Sequence, residues 1–260
     1  MRRDTACRLG AAISAALFLV LWLWDPVFST DETVQLLFKS TLSRLAGSMV
    51  FAFVLGYLGY RVFCRPRWGH WVAVLPALAV AVNNMPILGL AMGWVWVEQV
   101  EWVWLFALDS LMIGVFEELA FRGVLFPVLL EKRRDSKKRI FQTAVVSSCL
   151  FGLIHLVNLL EGAGVGATVL QVGYSFLIGG MCTIVLLKTG NLIYSILLHG
   201  IYDFGGGLVP TLGGGDLWDV PTVVITVVLS LAVILWMLLL LWRVTPEDAS
   251  KFYLKKEKNT

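Results

Sequence analysis

Three short stretches hold side chains capable of acid–base chemistry in places where such groups are costly. "FEELAFRG", residues 116–123, contributes Glu117, Glu118 and Arg122; "FGLIH", 151–155, contributes His155; "HGIYD", 199–203, contributes His199 and Asp203. Each lies within apolar sequence long enough to cross a bilayer, where one charge costs roughly 2.5–3.5 kcal/mol on insertion scales. Glu118 and Arg122 are four residues apart, share a helix face and can form an ion pair. Glu117 is five residues from Arg122, roughly 140° around a helix at 100° per residue, so its own helix offers it no such partner. An ion pair needs one glutamate. The second is the residue to explain.

Its candidate partners lie on other segments. The chain has 3 histidines. His70 sits beside Trp71 in a basic stretch and is expected to be a solvated loop residue. His155 has Phe151 four residues earlier on its helix face, and His199 has Asp203 four residues later. At 1.5 Å per residue from the cytoplasmic ends of their runs, Glu117, His155 and His199 lie roughly 20, 22 and 12 Å deep, which permits them to meet. A carboxylate in an apolar cavity can act as general base toward water, with an imidazole sharing or polarising that water. A second histidine with a short polar partner can stabilise a tetrahedral oxyanion. Together these groups would hydrolyse a peptide bond inside a membrane. Glu117, His155 and His199 are also a zinc-type ligand set that leaves one position for water, although the spacing is not the local H-E-x-x-H of soluble metalloproteases. The expected cofactor is therefore none, or a divalent metal such as zinc.

Such groups need a frame. Of the 260 residues 58% are hydrophobic and 15% charged, with mean hydropathy +0.79, too apolar for a soluble domain of this size. Apolar runs of roughly 17–25 residues recur, and the period-two alternation of a membrane barrel is absent. The fold class is all-α: a polytopic membrane protein, because lipid demands that each segment satisfy its own backbone. The runs fall at about 9–24, 42–63, 71–93, 102–130, 140–160, 168–187, 191–208 and 219–242, and predict about eight transmembrane helices. They form a single domain over 1–260, with a motif-bearing core at 100–210 and a cytoplasmic tail at 244–260 ending in a frayed "KKEKNT". The first run follows Arg2, Arg3 and Arg8, but no small-residue cleavage site precedes Asp25-Pro26, so it reads as a retained anchor.

Charge orients the frame. Every second loop is basic: Arg2, Arg3 and Arg8; Arg61, Arg65 and Arg67; "EKRRDSKKR" at 131–139; Lys188; and Arg243 with "KKEK". The alternate loops carry Asp31, Glu32, Glu98, Glu101, Glu161, Asp216 and Asp219. Both termini are thus expected in the cytoplasm, with Lys39 and Arg44 as a minor conflict. The net charge of +3 reports topology, not nucleic-acid binding. Trp22, Trp24, Trp68, Trp71, Trp94, Trp96, Trp102, Trp104, Trp218 and Trp242 cluster near run ends as an aromatic belt. Cys7, Cys64, Cys149 and Cys182 show no paired spacing and read as small buried hydrophobes. Pro86 is expected to kink the third run, with Asn83 and Asn84 bonding freed backbone groups, and "GGGLVPTLGGGD" at 205–216 to end the seventh in a flexible loop. Asp109 matches no motif and is expected to face the outer part of the cavity or to pair locally.

"EELAFR" fits E-E-x-x-x-R, "FGLIH" fits F-x-x-x-H and "HGIYD" fits H-x-x-x-N/D, in that order on successive segments. The chain therefore resembles the CAAX protease and bacteriocin-processing family (Abi/CPBP), which includes the type II CAAX prenyl endopeptidases; the resemblance covers about residues 100–210. It implies an intramembrane endopeptidase with an eight-helix core and a cavity open to the cytoplasm. On that pattern Glu117 activates water with help from His155, His199 and Asp203 form the oxyanion site, and Glu118 and Arg122 hold the helix geometry with Phe151 in support. The last position departs from the asparagine of the eukaryotic enzymes: an ionised Asp203 donates no hydrogen bond and would instead orient His199, hold a proton or bind a metal. The family includes both glutamate-type and metalloprotease assignments. Expected partners are membrane lipids and a membrane-associated protein or peptide substrate, lipidated ones included, with no nucleic acid; the expected location is a bacterial plasma membrane. Two other readings of the same residues are a non-catalytic scaffold or bacteriocin self-immunity protein on this fold, and a proton-coupled transporter with a Glu/His/Asp relay.

Overall fold

The computed structural model describes residues 3–23, 26–216 and 219–253. The expectations attached to Arg2, Trp24, Asp25, Trp218 and residues 254–260 lie outside the described residues, as do those for the side chains of Arg3 and Trp22. Among the described residues the long elements are all helices, with one pair of three-residue strands: α1 Arg3–Leu23, α2 Glu32–Leu58, α3 Trp71–Asn83, α4 Ile87–Met92, β1 Val95–Val97, α5 Val103–Glu118, α6 Phe126–Leu130, α7 Lys137–Ile154, α8 Val165–Thr189, α9 Leu192–Leu212, β2 Gly213–Gly215, α10 Val220–Trp242 and α11 Pro246–Ser250. Among the described residues six helices are long and apolar enough to cross a membrane: Asp4–Leu21, Glu32–Leu58, Lys137–Leu159, Val165–Thr189, Leu192–Leu212 and Val220–Trp242. The all-α membrane architecture follows from these. Two expected crossings are of a different kind. The helical path from Val103 to Leu130 carries Asp109, Glu117, Glu118 and Arg122, and the third run is broken.

That break has a local cause. α3 ends at Asn83 and α4 begins only at Ile87, because Pro86 has no N–H to continue the ladder, so it divides the segment and does not merely kink it. Asn84 spans the gap to another helix, its Nδ2 donating to the Tyr202 carbonyl at 2.7 Å, while Asn83 donates to Thr226 Oγ1 at 2.8 Å. The expected flexible loop at 205–216 is also corrected. Gly205, Gly206 and Gly207 are helical and form a packing surface: a Cβ on Gly206 would fall 2.5 Å from Asn84 Nδ2, and one on Gly207 would fall 2.7 Å from Phe106 Cζ. Beyond them Gly213–Gly215 pairs antiparallel with Val95–Val97, and a Cβ on Gly213 would overlap the Trp96 carbonyl.

Side chains and left-handed glycines set the helix ends. Asp31, Ser136, Asn191 and Asp219 cap the starts of α2, α7, α9 and α10 by accepting backbone N–H groups. Gly59 and Gly190, at φ 73° and 65°, close α2 and α8. Gly190 followed at once by Asn191 makes a minimal reversal between α8 and α9, held from outside by Cys64 N donating to Gly190 O and Leu192 N donating to Val62 O.

α5 and α9 cross at the centre, with α2 against α5 and the α7–α8 hairpin alongside. The core runs through Phe126, Met181, Val185, Leu186 and Leu198 to Met237, and it includes Ala249 and Phe252. The segment after α10 packs back on this core: Phe252 is fully buried, Tyr253 Oη donates to the Pro127 carbonyl at 2.6 Å, and Arg61 N donates to Phe252 O at 2.8 Å. The expectation of a solvated His70 is corrected. It is 8% exposed, meets Tyr194 edge-on at 5.8 Å and takes the Arg67 N–H on Nδ1 at 3.3 Å. The four cysteines are all free, and Cys149 is exposed, not buried.

Candidate active site

Glu117 and Glu118 are the last residues of α5, where the helix widens into a π-helical stretch, Leu119–Leu125. Pro127 explains the widening. It cannot donate a backbone bond, and the Phe126 N–H reaches back five residues to the Phe121 carbonyl. The stretch carries Arg122 inward, so Glu118 and Arg122, four apart, meet at 3.0 Å with both side chains fully buried.

α9 supplies His199 and Asp203. Its close approach to α5 depends on two glycines: a Cβ on Gly114 would fall 2.7 Å from the Ile196 carbonyl, and one on Gly200 would fall 3.2 Å from Leu111 Cα. Bare backbone at a helix crossing lets the axes draw together, as small residues do between membrane helices. His199 Nδ1 donates to Glu118 Oε1 at 2.8 Å. Its Nε2 lies 3.6 Å from Glu117 Oε2 and 3.4 Å from Asp203 Oδ2. Three carboxylates from two helices thus surround one imidazole. Exposure divides the doublet: the Glu118 side chain is 0% exposed, that of Glu117 20% and that of Asp203 25%. Glu118 is a buried brace between Arg122 and His199, and Glu117 is the carboxylate open to an incoming molecule.

Phe151, on α7, joins the remaining residues. Its ring meets His155 edge-on at 5.5 Å, His199 at 5.7 Å and Phe121 at 5.0 Å. The Arg122 guanidinium lies 4.1 Å from its centroid. That stacking matters because Arg122 Nε and Nη2 and Glu118 Oε2 have no hydrogen-bond partner among the described residues. Gly179 of α8 leaves the room: a Cβ there would sit 2.6 Å from Arg122 Nη2 and 2.8 Å from Phe151 Cδ1. His155 directly follows the last residue of α7, and its ring and that of His199 both meet the ring of Phe151 edge-on. The structure therefore gathers every expected site residue: Glu117, Glu118, Arg122, Phe151, His155, His199 and Asp203.

Four residues escaped the sequence reading. Gln171 and Asn158 bind at His155, Nε2 of Gln171 lying 3.3 Å from His155 Nδ1. Tyr174 and Tyr202 lie 6.2 Å apart beside Asp203. The signal available was the polarity of Gln171 and Asn158 within apolar runs. Asp109, expected to line the outer cavity or to pair locally, pairs across to α2 with Ser40, Thr41 and Arg44, the ion pair to Arg44 measuring 3.8 Å. Arg44 on the acidic side of the topology is thus matched by a buried partner.

As for a metal, no three His, Cys, Asp or Glu side chains among the described residues are placed to hold an ion. His199 offers Nδ1 to Glu118 and turns Nε2 to two carboxylates. The set Glu117, His155 and His199 does not fit a metal as arranged, and no step below is routed through one.

No curated protein and no solved structure matches the chain. Residues 99–205 match the family model described as Type II CAAX prenyl endopeptidase Rce1-like, and that span contains all three motifs and the whole carboxylate–imidazole cluster. The resemblance drawn from the motifs is thereby supported over residues 99–205, which are similar to the Rce1-like type II CAAX prenyl endopeptidases.

Proposed function

We propose that the protein is an intramembrane endopeptidase that cleaves membrane-associated proteins or peptide precursors, with water activated by Glu117. The observation that carries this reading is the division of the doublet: Glu118 fully buried between Arg122 and His199, Glu117 accessible within 3.6 Å of the same imidazole. Glu117 takes a proton from water as the oxygen bonds to the scissile carbonyl carbon, and the carbonyl electron pair moves to the oxyanion. His199 Nε2, oriented by Asp203, faces that oxyanion, and His155 assists from the other side of Phe151. When the intermediate collapses, the C–N bond breaks and the departing amine takes the proton held by Glu117. Asp203 serves as the residue that orients His199, which answers its departure from asparagine.

Lipidated substrates suit the surroundings. A cavity of about 400 Å³, walled mostly by apolar side chains of α3, α7, α8, α9 and α10, has Tyr174 and Tyr202 in its lining. Eight crossings, cytoplasmic termini and residence in a bacterial plasma membrane complete the proposal. The crossings and the side of the termini rest on the alternation of basic and acidic loops.

The test is hydrolysis of fluorogenic peptides, with and without a prenylated cysteine, by protein in proteoliposomes. Wild type is expected to cleave, and Glu117→Gln to lose about 10²–10⁴-fold in kcat while staying folded. A folded Glu117→Gln variant with full activity would overturn the assignment.

A further inference from the structure

His155 stands at a change of helix type. α7 ends at Ile154, and His155–Leu159 continues as a 3₁₀ turn. In a 3₁₀ turn residues i and i+3 eclipse, so Asn158 lies on the same face as His155. Both point to Gln171, one and a half turns into α8. The helices can approach there because Gly152 has no Cβ; an added one would fall 2.8 Å from the Val172 carbonyl. Asn158 Nδ2 donates to Gln171 Oε1 at 2.8 Å. With its oxygen so engaged, Gln171 turns its NH₂ to His155 and donates to Nδ1, 3.3 Å away. A ring nitrogen that accepts cannot also carry a proton, so a neutral His155 has its hydrogen on Nε2. Nε2 is the buried nitrogen with no partner among the described residues, and it is the one left for a reacting molecule.

We infer that Asn158 and Gln171 are positioning residues that hold His155 in the Nε2–H tautomer, so that it serves the proposed hydrolysis as a hydrogen-bond donor to the reacting oxygen and not as a second base. The role rests on the reading of the site as a hydrolase, but the tautomer does not. Glu117 is then the one proton acceptor for water. An Nε2 that carries hydrogen also has no lone pair for a metal, in keeping with the arrangement of the carboxylates.

The chain's three histidines make the tautomer directly readable. Protein labelled with ¹⁵N only at histidine, in lipid nanodiscs at neutral pH, is expected to show His155 protonated at Nε2 and bare at Nδ1. Gln171→Glu places an acceptor opposite Nδ1 and is expected to reverse the pattern. Gln171→Met removes the donor and is expected to mix the two forms. The His70 and His199 signals, unchanged, report an intact fold. In the peptide assay Gln171→Glu is expected to lower kcat about 10²-fold with KM unchanged, the effect of losing one oxyanion donor. A wild-type ring protonated at Nδ1, or a tautomer indifferent to both substitutions, would overturn the inference even if the protein cleaves peptides. An Nε2–H ring in a protein that cleaves nothing would instead overturn the proposed hydrolysis and leave the tautomer standing.

Discussion

At the scale of single residues, the two adjacent glutamates differ in what they touch. Glu118 bonds Arg122 and His199 through one oxygen in a fully buried site, so its removal strands a guanidinium that has no other carboxylate partner among the described residues. Glu118→Gln is expected to destabilise the protein by about 3–5 kcal/mol, read as a fall in unfolding midpoint in detergent. Glu117→Gln, at an accessible carboxylate, is expected to leave that midpoint nearly unchanged while removing activity. The pair of results separates brace from base. If instead both variants unfolded alike, the division of labour would be wrong.

At the scale of elements, the site depends on helices brought close together by missing side chains. Gly114 and Gly200 set the α5–α9 separation, Gly152 sets α7 against α8, and Gly179 leaves a space for Arg122 and Phe151. Gly114→Ala drives a methyl group against the Ile196 carbonyl, which is backbone and cannot rotate away. It is expected to cost about 1–3 kcal/mol in stability. Activity should fall further than that loss explains, because the distances from His199 to Glu117 and Glu118 widen together. Comparing kcat with the unfolding midpoint checks this; a variant as active as wild type would show that the crossing tolerates more space than the geometry allows. The π-helical stretch belongs to the same scale, since it carries Arg122 to its buried pairing with Glu118.

At the scale of the whole molecule, the segment after α10 closes the core. Phe252 is fully buried and meets Phe126 edge-on at 6.4 Å, next to the end of the π-helical stretch, and Lys188 and Lys251 both bond Asp248 at its margin. Phe252→Ala is expected to cost about 3–5 kcal/mol, measurable as a lowered unfolding midpoint. A terminus that merely trailed in solvent would show no such change. By contrast α1 and α10 bury little of their surface within the protein and present long apolar faces outward, as peripheral helices in lipid should.

The sequence by itself determined the class of molecule, because hydropathy and run length act locally and lipid leaves the backbone few alternatives. It also determined the Glu118–Arg122 pair, which needs only helical spacing, and singled out the charged and imidazole side chains that meet, because charge inside an apolar run is too costly to be incidental. Tertiary structure decided the rest. Which glutamate is braced depends on how closely α9 approaches α5, and the bond from Gln171 to His155 depends on a 3₁₀ turn and a glycine on different elements. The burial of His70 and Phe252 and the helical run of three glycines depend on neighbours far along the chain. Spacing along one helix fixes angles within it, but distances between helices come from packing, where a single missing Cβ shifts an axis enough to make or break a hydrogen bond.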